Sequence, residues 1–256
     1  MALSIIAYLG LGLLAAGGAS AVRPRLLRLR RRREAAILAA AGLLLATAGA
    51  WWPLGTRRSA EGTRLEAFVP EFQFGEFHET RVRAAPEEVH GAIRAVTAGE
   101  IRWFRSLTWI RSPRLPGRAG PDTILHPAWN EPVVEVALRS GFVLLAEEPG
   151  EELVVGTVVC CGPVRLRDAE DFRALGRPGF ARAALSFRIE DLGAGTCRLT
   201  TETRIVAAGA AARRRFGVYW SFIYPGSSLI RYGWLEAIRR RAEAAAARTA
   251  SPSVPG

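Results

Sequence analysis

Two uncharged runs of 20 residues, 3–22 and 35–54, stand at the head of this chain with a dense arginine cluster between them. At about 1.5 Å rise per residue, each would make a helix roughly 30 Å long, the thickness of a hydrocarbon bilayer core. Neither shows an amphipathic period, so the expectation is two membrane-spanning helices. A secretion signal would open on basic side chains, and Met1, Ala2, Leu3 and Ser4 supply none. The cluster comprises Arg23, Arg25, Arg28, Arg30, Arg31, Arg32 and Arg33, offset only by Glu34. One arginine at mid-bilayer costs about 2.5–3.5 kcal/mol, so seven mark a loop over residues 23–34. The result expected over residues 1–55 is a hairpin in the cell membrane, multi-pass with two helices. The positive-inside rule places its loop in the cytoplasm and the rest of the chain outside it. Anionic membrane lipids suit such a loop as partners. Gly12 and Ala16, and again Gly42, Ala46 and Ala50, recur four apart, a spacing that permits close packing within the hairpin or against a membrane protein partner. Trp51 and Trp52 stand where an aromatic belt would place them.

The charge balance points the same way. All 35 basic residues are arginines, yet residues 59–256 hold 26 of them against 23 acids, so the larger part of the chain is nearly neutral. A nucleic-acid partner would call for a basic stripe on the folded domain, and none is visible. An apolar fraction of 49% excludes wholesale disorder, and 23% charged residues exclude a wholly embedded protein.

Residues 56–67 are polar and read as a linker; beyond them the pattern becomes globular. Residues 74–84 are strand-like, with Phe, Thr and Val among charged residues. Pro86, Glu87 and Glu88 then open a helix, with Val89, Ile93 and Val96 as its apolar stripe. A second helix from Glu100 carries Ile101, Trp103, Phe104 and Leu107, and a long Pro- and Gly-rich loop spans residues 112–132. A short helix is expected over residues 132–139. Residues 142–147 and 153–160 flank a Pro-Gly turn as one hairpin. Residues 181–189 and 197–207 alternate as another, with residues 191–196 as its turn and one face buried. Residues 210–247 read as a long helix whose stripe runs through Phe216, Trp220, Ile223, Ile230, Trp234 and Ile238, with a kink or break at Pro225. Residues 248–256 read as a disordered tail.

The order of these elements, with Ala84, Ala85, Pro86, Glu87, Glu88 and Val89, the hairpin over residues 142–159 and the terminal helix, resembles the START-like, or SRPBCC, superfamily of polyketide cyclases and lipid-transfer domains. The resemblance covers about residues 70–245, within a globular part spanning residues 68–247. It implies an α+β helix-grip fold, a curved antiparallel sheet around the C-terminal helix with a cavity between them, here preceded by two transmembrane helices. The cavity would then be lined from the sheet by Leu185, Phe187 and Leu199, with Ile205 inward too, and from the helix by Phe216, Tyr219, Trp220, Ile223 and Trp234. Phe142 would join them, and Trp103 and Phe104 would stand near the entrance. The same stripes are also what any core needs.

Catalytic motifs are absent: no Gly-x-Ser-x-Gly, His-Glu-x-x-His or phosphate loop occurs. No catalytic residue, cofactor or metal site is therefore assigned. His78, His90 and His126 have no metal-ligand partner at a recognisable spacing. Glu202 and Arg188 are placed to pair across strands on the outer sheet face. Cys160 and Cys161 are adjacent and Cys197 lies on another strand, so three cysteines give no disulfide framework. Unpaired thiols suit a reducing cytoplasm, against the orientation set by the arginine loop, and the loop's larger bias is preferred.

Three functions compete. The favoured one is a membrane-anchored domain that binds a lipid or other hydrophobic small molecule. The second is a cyclase- or dehydratase-type enzyme, for which Tyr219, Tyr232 and His90 are the available polar groups. The third is a membrane interaction protein that packs through its hairpin.

Overall fold

A computed structural model of the chain describes residues 9–10, 12–19, 32–51, 56–58, 62–112, 123–160 and 164–250. The fold divides into two units, residues 1–55 with 213–225, and residues 56–212 with 226–256.

In the first unit residues 12–19 are helical and α1 spans Arg32–Trp51. Their backbones meet at glycines. A Cβ on Gly17 would lie 2.6 Å from the Ala39 nitrogen, and one on Gly42 would overlap the backbone of Leu14 and Gly10. Gly12, expected at the contact, has open space around its Cβ position instead. Small residues do mediate this packing, but Gly17 is the one the spacing argument missed. Residues 213–225 add an aromatic run in which Phe216 stacks on Trp220 at 5.9 Å and Trp220 meets Tyr224 edge-on at 5.6 Å.

No helix among the described residues is long and apolar enough to cross a membrane. This overturns the expectation of a two-helix transmembrane hairpin, and with it the multi-pass location in the cell membrane and the extracytoplasmic placement of the rest. The first turn of α1 carries Arg32, Arg33 and Glu34, and ten of the 17 residues over 35–51 are alanine or glycine, whose small side chains bring little apolar surface. The arginines Arg32 and Arg33 are thus helical, whereas Arg23, Arg25, Arg28, Arg30 and Arg31 lie outside the described residues, as do Trp52 and Cys161.

The second unit is α+β. Five strands, β3 (Phe74–Val82), β4 (Val143–Glu148), β5 (Glu152–Cys160), β6 (Ala181–Asp191) and β7 (Cys197–Ala207), form an antiparallel sheet in the order β3-β7-β6-β5-β4. A separate ribbon pairs β1 (Arg57–Arg58) with β2 (Glu71–Phe72). The helices are α2 (Pro86–Ala95), α3 (Phe104–Arg111), α4 (Val133–Arg139), α5 (Ala169–Ala174) and α6 (Ala210–Ala250), the last shared with the first unit. Helix α2 starts where Pro86 needs no amide partner, and the Glu88 carboxylate accepts the Ala85 amide at 2.9 Å. Its stripe of Val89, Ile93 and Val96 is fully buried. Helix α6 continues through Pro225, so of the kink or break expected there the break does not occur. It also takes in residues 248–250 of the expected tail, whose remainder lies outside the described residues.

Each face of the sheet carries its own core. On the inner face Leu153, Leu185, Phe187 and Leu199 pack with α2 and with Trp234, Leu235 and Ile238 of α6. On the outer face Leu65, Phe68, Val69 and Phe72 pack with Val154, Leu166 and Phe172. The segment read as a linker therefore supplies part of that second core: Leu65 lies in a 3-10 turn, Arg64–Ala67, capped by Thr63, and is fully buried. Helix α5, unseen in the sequence, brings Phe172 there. The one-sided sheet expected from alternation is wrong for the same reason. Arg204, on the supposed solvent face, is fully buried; its guanidinium donates to both Glu202 oxygens and to the Val69 carbonyl. Glu202 thus pairs with Arg204 along its own strand and not with Arg188.

Candidate functional site

Alternation along β3 turns Phe74, Glu76 and His78 inward and Phe77 and Glu79 outward. The register sets Glu76 beside Thr203 and His78 beside Thr201 of β7. Across from them α6 presents Ser227, Ser228, Arg231 and Trp234, at helical spacings of three, four and seven. These eight side chains make a polar patch on the inner face, within the second unit.

Glu76 is its centre. Its side chain is 1% exposed. The Ser227 hydroxyl donates to Glu76 Oε1 at 2.7 Å, and Arg231 Nε donates to the same oxygen at 3.4 Å. His78 Nε2 faces the Ser228 hydroxyl at 3.2 Å and Glu76 Oε2 at 3.9 Å. The Arg231 guanidinium lies over the Trp234 ring, 5.4 Å from its centroid, and Trp234 meets Phe187 edge-on at 5.0 Å. Burial pulls the Arg231 pKa below the ordinary guanidinium value, and Glu76 works in the opposite direction. Four buried polar atoms here have no hydrogen-bond partner: Glu76 Oε2, Thr201 Oγ1, Thr203 Oγ1 and Trp234 Nε1. Such atoms are few in native interiors, and their gathering in one place marks this patch as chemically distinct.

Arg231 also lines a small apolar cavity between sheet and helix, together with Ile124, Phe142, Val155, Leu185, Phe187 and Trp234. Its volume is about 30 Å³. Sites for drug-sized ligands run to about 300–1,000 Å³, so the spacious oily gap expected from the resemblance is closed here.

The cluster is no catalytic triad. Ser228 and Glu76 both approach His78 through Nε2, whereas a relay needs the nucleophile and the acid on opposite ring nitrogens. Among the described residues no group of three or more His, Cys, Asp or Glu side chains is arranged to hold a metal.

Of the residues proposed to line the cavity, Phe142, Leu185, Phe187 and Trp234 do so. Leu199 and Phe104 are buried in the adjoining core. Trp103 is 59% exposed, in a left-handed backbone conformation ahead of α3, and is not among the lining residues. Phe216, Tyr219, Trp220 and Ile223 belong to the first unit and do not line it either. Neither do the remaining polar candidates. Tyr232 is 65% exposed, and His90 Nε2 lies 3.1 Å from Glu147, which Arg94 also holds. The Cys197 thiol donates to the Ala84 carbonyl, and burial raises its pKa. Sequence reasoning missed Glu76, Ser227 and Arg231. The signal was available: Glu76 shares the phase of buried Phe74, and Ser227 and Arg231 share the phase of Trp234.

No family model matches the chain, and no curated protein matches it. Solved structures with some likeness include protein MLL2253 from Mesorhizobium loti, at 14% identity over 67% of this chain and 98% of that one, TM-score 0.30. Hypothetical protein jhp0584 from Helicobacter pylori is 10% identical over 74% of this chain and 99% of its own, TM-score 0.36. CalU16 from Micromonospora echinospora is 18% identical over 77% and 99%, TM-score 0.24. By its own topology the chain is an α+β protein with a five-stranded antiparallel sheet and a long C-terminal helix.

Proposed function

We propose that the second unit is a START-like binding domain that holds a hydrophobic small molecule bearing a polar end. The sheet-and-helix arrangement is compatible with a helix grip. The observation that carries the reading is the Arg231–Glu76 pair at the margin of an apolar cavity, with unpartnered polar atoms beside it. Burying a charged pair is costly, and a well-packed apolar substitute often serves stability as well. Convergent polar groups beside apolar and aromatic walls are the composition of a ligand site. At about 30 Å³ the cavity must widen to admit the apolar part of a ligand, and of its lining residues Ile124 and Phe142 are only partly buried.

The test is mass spectrometry of organic extracts from purified protein, paired with titration of 12-(9-anthroyloxy)stearate followed by its fluorescence. The expected result is a co-purifying hydrophobic compound or saturable uptake of the probe, weakened at least about tenfold in Arg231→Met. Protein that retains nothing and takes up no probe defeats the proposal.

A further inference from the structure

The larger of the two described cavities, about 170 Å³, lies on the opposite face of the sheet. It is a bowl walled by β3, β5, β6 and β7, with Thr63 at its rim. Its lining includes four carboxylates, Glu79, Glu152, Glu190 and Glu202, and two arginines, Arg188 and Arg198. Two of the carboxylates are already neutralised. Glu190 accepts from Arg198 at 2.8 Å, and Glu202 holds Arg204 beneath the floor. Among the described residues no ion pair ties Glu79 or Glu152 to an arginine, so the bowl keeps a negative excess over Arg188.

Glu152 makes this more than an acidic surface. The residue is only 4% exposed. Its Oε2 accepts the Arg64 amide at 2.7 Å, while its buried Oε1 has no partner. A carboxylate oxygen held dry and unpaired costs free energy that a cationic donor would recover. Phe77, 56% exposed, adds an aromatic wall whose face attracts cations. The volume falls below the range of drug-sized sites, which restricts the occupant to a small group. No three candidate metal ligands converge among the described residues, whereas one carboxylate beside an aromatic face suits an organic cation.

We propose that this bowl is a second binding site, for a small guanidinium or primary-ammonium group anchored on Glu152 and stacked on Phe77. It shares no lining residue with the inner cavity, so it stands or falls apart from the hydrophobic-ligand reading. The chemistry could come from a free amine or from a basic side chain of another protein.

Isothermal titration of the full-length protein with agmatine, and separately with the capped tripeptide Gly-Arg-Gly, tests both sources. Saturable one-to-one binding of either is expected, stronger for the source that is used. Glu152→Gln keeps an acceptor for the Arg64 amide but loses the charge, and should weaken binding at least about tenfold. Glu79→Gln, at an exposed position, should weaken it about two- to fivefold, and raising salt should weaken it further. No heat of binding with either compound overturns the proposal. So does undiminished binding by Glu152→Gln, or equal binding of succinate, which carries the opposite charge.

Discussion

Glu76 and Arg231 show how much one pair of side chains can depend on its surroundings. Neither residue type is unusual, and a glutamate in a polar-rich strand reads as solvated until the phase of Phe74 is taken into account. Once buried, each needs the other. Removing one partner of a buried pair costs about 3–5 kcal/mol, and the longer 3.4 Å contact and the 17% exposure of Arg231 reduce that here. Arg231→Met is expected to lower unfolding free energy by about 2 kcal/mol in urea titrations. Glu76→Gln with Arg231→Met should cost less than the sum of the two single changes, because the double variant strands no charge. An additive double-mutant cycle would show that the pair is not coupled.

Among the elements, α2 and β4 are linked by ion pairs around Glu147. Arg94 Nε donates to Glu147 Oε1 at 2.7 Å, Arg94 also reaches Glu135, and His90 approaches Glu147. The hydrogen bond from Arg94 chiefly holds the Glu147 pKa below the usual carboxylate range, with burial opposing. A depressed folded pKa adds stability above the unfolded value of about 4.3, and that stability is lost as pH falls through the folded value. Glu147→Gln should therefore flatten the loss of stability below about pH 4.3, as read from urea midpoints across pH. A slope equal to that of the parent would rule out this linkage. Most of these elements were legible in advance. The range of β7 and the start of β6 follow from alternation, although β6 runs on to Asp191, two residues past its expected end, and α2 follows from Pro86 and its acidic first turn. Helix α5 was not legible, because six residues carry too little periodic pattern, and Arg64–Ala67 was hidden by its polar neighbours.

For the whole molecule, the decisive feature is that the sheet is covered on both faces. Phe172, fully buried, joins the outer core from a short helix whose signal in the sequence is confined to its Asp168 cap and acidic first turn. Phe172→Ala is expected to destabilise the fold by about 3–5 kcal/mol, measured by chemical denaturation. A change within about 0.5 kcal/mol would mean that the outer core is dispensable. Gly156 explains part of this packing, since a Cβ there would sit 2.8 Å from the Phe172 ring and from Leu145. The transmembrane expectation counted uncharged residues only, whereas α1 takes Arg32, Arg33 and Glu34 into its first turn and is built largely of alanine and glycine.

The sequence by itself determined the local elements, because alternation, helical stripes and turn residues act over a few neighbours. It thereby determined the antiparallel hairpins and the long final helix. The tertiary structure alone decided which polar residues would be buried, where the sheet would gain its second core, and how little space would remain beside α6. Those outcomes depend on side chains distant in the chain meeting across the sheet: Glu76 and Arg231 are separated by 155 positions, and their phases are comparable only after the strand and the helix have been set face to face.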